Sequence, residues 1–157
     1  MRLQRPNDKR WDEVGQALAS ARSMNREHHI PLLVEGKRDV GTLRAFGFSG
    51  PIEQFHRGKS NDEVIVSIVE TYSNQIHGSA FFLYLLMDWD RTGGRIQNIC
   101  RRNFESLDFK FDEELRRCLM KNLFSETTTV EGLIGSMDHL LPIINTYDPI
   151  GNNCPDR

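Results

Sequence analysis

Residues Phe81 to Gly94 read FFLYLLMDWDRTGG. From Phe81 to Met87 every position is apolar, with no alternation, the pattern of a strand covered on both faces inside a parallel sheet. The run stops at Asp88. Asp90 stands two residues on, and Gly93 with Gly94 allow a tight turn into a helix. A second compact run, Ile30 to Val34 (IPLLV), behaves in the same way: it ends at Glu35 and Gly36, and Val40, Leu43 and Phe46 then recur at helical spacing until Gly47. Two strands that each end in an acid and lead into a helix predict an α/β fold.

Outward from these runs the same alternation continues. Trp11, Val14, Leu18 and Ala21 predict a helix from Trp11 to about Arg26. Pro51 to Phe55 is a short strand candidate. Ser60 and Glu63 form the S-x-x-E capping box before Val64, Ile65, Ile68, Val69 and Tyr72, which turns a β-branched segment towards helix. Helices are expected over Gly93 to Phe104, Asp112 to Phe124 and Leu133 to Leu141, with a last short strand at Thr127 to Val130. The tail from Thr146, with Pro149, Gly151 and Pro155, reads as frayed. The domain division that follows is an N-terminal helical segment over 1–29, a core over 30–108, a C-terminal helical extension over 109–145 and a flexible tail over 146–157.

Composition bounds the function. The chain has 157 residues, 38% of them hydrophobic, enough for one core and one domain. Its longest apolar run, Ala80 to Met87, is far short of the ~20 residues that span a bilayer, and the opening MRLQRPNDKRW lacks a secretory apolar stretch. A cytoplasmic protein without membrane contact is expected. Twenty basic residues against 22 acidic ones leave a net charge of −2, so any polyanion must be held by a local patch. The three cysteines, Cys100, Cys118 and Cys154, form no CxxC pair and are read as reduced and structural.

The chemistry is expected where the strands end. In open parallel sheets ligands collect outside the carboxyl ends of the strands, where Glu35, Asp88 and Asp90 would converge. Two like charges ~5 Å apart at an effective dielectric of ~20 repel by about 3 kcal/mol, so such a cluster calls for a bound cation or a shifted pKa. Oxygen-only donors suit Mg²⁺ or Mn²⁺, which take the rest of their shell from water and phosphate.

The strings VEGKRD at Val34 to Asp39 and DWDRTGG at Asp88 to Gly94 resemble the two motifs of the Toprim domain. This is the metal-dependent catalytic module of topoisomerases, bacterial-type primases, OLD-family nucleases and the ribonuclease that matures 5S ribosomal RNA. The likeness covers about Ile30 to Asn103. FDEELRRCL at Phe111 to Leu119 and TVEGL at Thr129 to Leu133 further resemble the small stand-alone, mainly archaeal, Toprim proteins. The resemblance implies a Rossmann-like sheet of about four mainly parallel strands flanked by helices, with an added N-terminal helix and a C-terminal helical extension. It implies that Glu35 handles the proton of a hydroxyl or water and touches the metal, and that Asp88 and Asp90 hold one or two Mg²⁺ ions, Mn²⁺ being an alternative. Cleavage of RNA, or of branched or single-stranded nucleic acid, is the activity expected.

Basic residues supply the local patch. Lys37 and Arg38 follow Glu35 directly, and Arg91, Arg95 and Arg102 follow the second motif at spacings of four and seven along a helix. His56 is placed on the loop after the second strand, on the same edge as Glu35. Arg101, Arg116, Arg117 and Lys121 are read as a solvated helix face, and the remaining histidines as surface or core residues. Gly58, Lys59 and Ser60 imitate the end of a P-loop, but Glu53 stands where its first glycine is required. Two rival readings remain. One is a non-catalytic adaptor that binds structured nucleic acid or a partner enzyme and keeps the acidic site for metal-stabilised folding; apart from this choice, nucleic acid is the expected partner, with a protein partner or a homodimer as further alternatives. The other takes Asp88-x-Asp90-x-Thr92 as a phosphatase nucleophile motif with Asp88 phosphorylated and Asp90 as acid/base, which would leave VEGKRD unexplained.

Overall fold

A computed structural model of the chain describes residues 6–56, 58–74 and 80–152. Helix α1 (Pro6–His28) leads into strand β1 (Leu32–Val34), α2 (Lys37–Ala45), β2 (Ile52–Gln54), α3 (Asn61–Tyr72) and β3 (Tyr84–Leu85). There follow α4 (Arg91–Ser106), α5 (Glu114–Leu123), a 3-10 turn at Glu131–Ser136, α6 (Met137–Tyr147) and the short α7 (Pro149–Asn152). The strands form one parallel sheet of order β2-β1-β3, with Leu32 opposite both Ile52 and Tyr84. The fold is α/β and Rossmann-like.

Side chains alternate across this sheet, and both faces are buried. From β1, Leu32 and Val34 enter a cluster with Trp11, Leu18, Leu43, Leu119 and Ile144, while Leu33 enters another with Ile65, Ile68, Ile96 and Phe104. The next strand segment divides likewise, Tyr84 and Leu86 against Leu83, Leu85 and Met87. One helical layer is thus built from α1, α2, α5 and α6, and the other from α3 and α4. The N-terminal helix and the C-terminal segment pack on each other, α1 against both α5 and α6. Each buried leucine or isoleucine of this double core is worth ~1.5–3 kcal/mol of transfer free energy.

The capping box forms as read: the Glu63 amide donates to Ser60 Oγ at 3.2 Å, and the Ser60 amide donates to Glu63 Oε1 at 2.9 Å. Two expectations are corrected. Among the described residues the sheet has three strands, and Asp112 adds an isolated parallel bridge to Tyr84 instead of a fourth strand. Thr127 to Val130 is not a strand. It is a turn whose carbonyls are taken by Trp89, the Thr128 oxygen accepting from the Trp89 amide and the Thr127 oxygen from its indole Nε1, both at 2.8 Å. In the segment from Thr146, Thr146 and Tyr147 finish α6, Pro149–Asn152 forms α7, and Asp148 is buried. Its carboxylate accepts from Arg22 Nε at 2.7 Å and from Arg26 Nη2 at 2.8 Å, and a charge paired in this way has reason to stay ordered. The tail's last residues, 153–157, lie outside the described residues.

Candidate functional site

The chain runs from β1 out to β2 on one side and returns to β3 on the other, so the strand order reverses between β1 and β3. At such a switch point the loops diverge and leave a crevice at the carboxyl ends of the strands. Glu35 follows β1 at that crevice, and Asp88 follows β3. The two meet: the Asp88 amide donates to Glu35 Oε2 at 3.0 Å. The Glu35 carbonyl accepts from the His56 amide at 2.8 Å, which brings the end of β2 to the same edge. His56 is exposed there, its ring edge-on to Phe55.

Asp88 is held from three sides. Its Oδ1 accepts from the Val130 amide at 2.8 Å, its carbonyl accepts from Arg116 Nη2 at 3.0 Å, and Gly93 lies against its backbone. A Cβ at Gly93 would stand 2.0 Å from the Asp88 oxygen, so only glycine fits this approach. Burial pushes the Asp88 carboxyl up to about 7, the Val130 amide works in the opposite direction, and Glu35, Asp39 and Asp90 add repulsion. Asp90 has its own local duty as the cap of α4, its Oδ1 accepting from the Gly93 amide at 2.7 Å.

Asp39 belongs to this cluster and was not singled out from the sequence. It lies buried in the first turn of α2, where its Oδ2 accepts from the Gly36 amide at 3.1 Å. Its carboxyl is raised by burial, against the backbone amides of Gly36, Glu131 and Glu35, and further by the charge of Glu131. The signal was in VEGKRD itself: an acid three residues after a helix-capping position turns back on the cap.

The basic residues divide. Lys37 is exposed, and Arg38 pairs with Glu131 at 3.9 Å. Arg91, Arg95 and Arg102 are exposed along α4, as their spacing predicts. Arg101 pairs with Glu113 at 2.7 Å, and Lys121 with Glu13 at 3.5 Å. Arg116 corrects the reading of a solvated face: it is 8% exposed and turns inward behind the acids. Beside the cluster a cavity of about 690 Å³ is lined by Arg38, Gly41, Thr42, Thr129, Glu131 and Gly132.

Among the described residues no group of three or more His, Cys, Asp or Glu side chains is arranged to hold a metal ion. A closed cage is therefore absent from them. The donor chemistry of Glu35 and Asp88 still fits a hard divalent cation at an open site, because Mg²⁺ takes one or two carboxylates and leaves the remaining positions to water and phosphate. Each of these acids has one carboxylate oxygen bonded to a backbone amide, and among the described residues neither is ion-paired.

No protein-family profile and no curated protein matches the chain. A solved structure of a protein from Aquifex aeolicus is similar, at 25% sequence identity and a TM-score of 0.55, over 73% of this chain and 93% of that one. The likeness is one of fold.

Proposed function

We propose that the protein is a Toprim-type, Mg²⁺- or Mn²⁺-dependent nuclease that cuts RNA or structured or single-stranded nucleic acid. The observation that carries the reading is the hydrogen bond between the Asp88 amide and Glu35, 53 residues apart, at the crevice where the sheet reverses. The acidic ends of both motifs thereby share one edge, where burial holds the Asp88 carboxyl up and Glu35, Asp39 and Asp90 add repulsion.

In this reading Glu35 and Asp88 hold the cation, which supplies Lewis-acid chemistry at the scissile phosphate. Asp90, one oxygen engaged by the Gly93 amide, supports the same charge from the start of α4. Glu35, oriented by the Asp88 amide, takes the proton of the attacking water or hydroxyl. Arg91, Arg95 and Arg102 lie within about 40° of one another around α4 and span ~16 Å of its length, two or three phosphate spacings of a single strand. They and the exposed Lys37 and Arg38 hold the backbone of the nucleic acid without reading its sequence, and His56 flanks it at the end of β2.

The test is incubation of purified protein with labelled RNA and DNA in Mg²⁺, Mn²⁺ or EDTA, beside Glu35→Gln and Asp88→Asn. Cleavage that needs the cation and falls by at least ~10²-fold in both variants is expected. Nucleic-acid binding that survives both substitutions, with no cleavage by the wild type, would replace the nuclease by an adaptor.

A further inference from the structure

The outer edge of β3 poses a hydrogen-bonding problem. On that side the Asp112 carbonyl accepts from Leu85 at 2.9 Å, and the Asp112 amide donates to Leu83 at 2.7 Å. Among the described residues no strand continues the pairing beyond Leu85, although Leu85 and Met87 are buried and the Leu85 carbonyl and the Met87 amide and carbonyl must find partners.

Two side chains supply them. Gln97 of α4, 0% exposed, accepts from the Met87 amide through Oε1 at 3.2 Å and donates through Nε2 to the Leu85 carbonyl at 3.3 Å. Arg116 of α5 donates through Nε to the Met87 carbonyl and through Nη2 to the Asp88 carbonyl, each at 3.0 Å. Glu113 braces Gln97, accepting from its Nε2 at 2.8 Å, and is itself held by Arg101 Nη2 at 2.7 Å. A primary amide is both donor and acceptor, so it can copy a strand, and a guanidinium presents several donors in one rigid plane, so it can grip two successive carbonyls.

We infer that Gln97 and Arg116 are positioning residues that replace the missing strand and fix the backbone of Asp88, so that its amide reaches Glu35 and its carboxylate reaches Val130. The inference rests on the proposed cation site only for what the positioned acids bind. Neither side chain is assigned contact with substrate. Their part resembles that of groups just outside a metal's ligands, whose loss typically weakens metal binding by ~10–100-fold.

The test compares the full chains of Arg116→Lys and Gln97→Met with wild type and with Arg22→Lys, a change at a fully buried arginine paired with Asp148. Backbone amide exchange, read by NMR without metal, reports the positioning directly. Relative to the Leu18 amide in the core, the Asp88 and Val130 amides should exchange at least about tenfold faster in Arg116→Lys and Gln97→Met, and unchanged in Arg22→Lys. Unchanged relative exchange in Arg116→Lys overturns the inference, as does the same acceleration in Arg22→Lys. Mn²⁺ titration followed by electron paramagnetic resonance is the second arm, with about tenfold weaker binding expected in Arg116→Lys. Equal affinity in the two proteins also overturns the inference. A wild type that binds no Mn²⁺ sinks the cation reading instead and leaves amide exchange to decide the positioning.

Discussion

Asp88 carries two burdens at once, a place in the fold and an excess of like charge. Folded, it keeps its proton up to about 7, whereas the unfolded chain releases it near ~4. Between those values the native state binds the extra proton, so this residue's contribution to stability falls as pH rises from ~4 to ~7 and is least favourable above that window. Asp88→Asn keeps the shape and removes the charge. It is therefore expected to stabilise the metal-free protein at pH 8, by about 1 kcal/mol once partial exposure to solvent is allowed for, and to give no such gain at pH 4. Urea midpoints of the two proteins at both pH values check this, and a variant weaker at pH 8 would contradict it. Saturating Mn²⁺ should invert the order at pH 8, because a ligand bound to the wild type alone stabilises it by mass action. At this scale the acids were legible because each closes an apolar run. Arg116 was not: an arginine pair at 116 and 117 reads as an ordinary helix face, and only packing sends the first inward while Arg117 stays exposed.

At the scale of elements, the turn from β3 into α4 is the tightest construction in the site. Gly93 bonds to Asp90 and presses on the Asp88 carbonyl, so Gly93→Ala must move backbone. A loss of about 2–3 kcal/mol in urea unfolding, accompanied by weakened Mn²⁺ binding, is expected. Helix α4 beyond this turn offers its arginines as phosphate contacts. In a plot of log K against log salt for a single-stranded oligonucleotide, replacing Arg91, Arg95 or Arg102 by Gln should each reduce the slope by about 0.7, and replacing the exposed Lys110 should leave it unchanged. A slope insensitive to all three arginines would remove α4 from the interface. The element pattern was largely legible, since strands β1 and β2 and the capped helix α3 lie where periodicity and capping put them. The fourth strand was misplaced because Thr127 to Val130 has β-branched composition, whereas its partners are the Trp89 indole and amide.

At the scale of the whole molecule, α1 is clasped to the C-terminal end of α6 by a buried ion pair. Arg22, 0% exposed, bonds to the Asp148 carboxylate and backbone and to the Phe46 carbonyl. Burial raises the Asp148 carboxyl, but the bonds from Arg26 and Arg22 outweigh it and hold it below the usual range. Its contribution to stability is thus present above the ordinary aspartate pKa and is lost as pH falls through the lowered one. Asp148→Ala strands a buried guanidinium and is expected to cost about 3–5 kcal/mol, read as a shifted urea midpoint at unchanged slope. A change below about 1 kcal/mol would mean that the clasp is not part of the folding unit. Among the described residues no helix is long and apolar enough to cross a membrane.

Local chemistry determined much of this protein by itself: runs without alternation had to be strands buried on both faces, and the acids ending them had to lie at the carboxyl edge of a parallel sheet. Capping at Ser60 and the glycines after Asp90 were likewise written in short-range contacts, which a linear reading reaches. Only the tertiary structure decided which groups complete that edge. Asp39, Gln97, Arg116 and the turn before Val130 come together through packing between elements distant along the chain, and a buried polar group is satisfied by whatever the fold brings within hydrogen-bonding distance. Residue type and spacing carry no record of that distance.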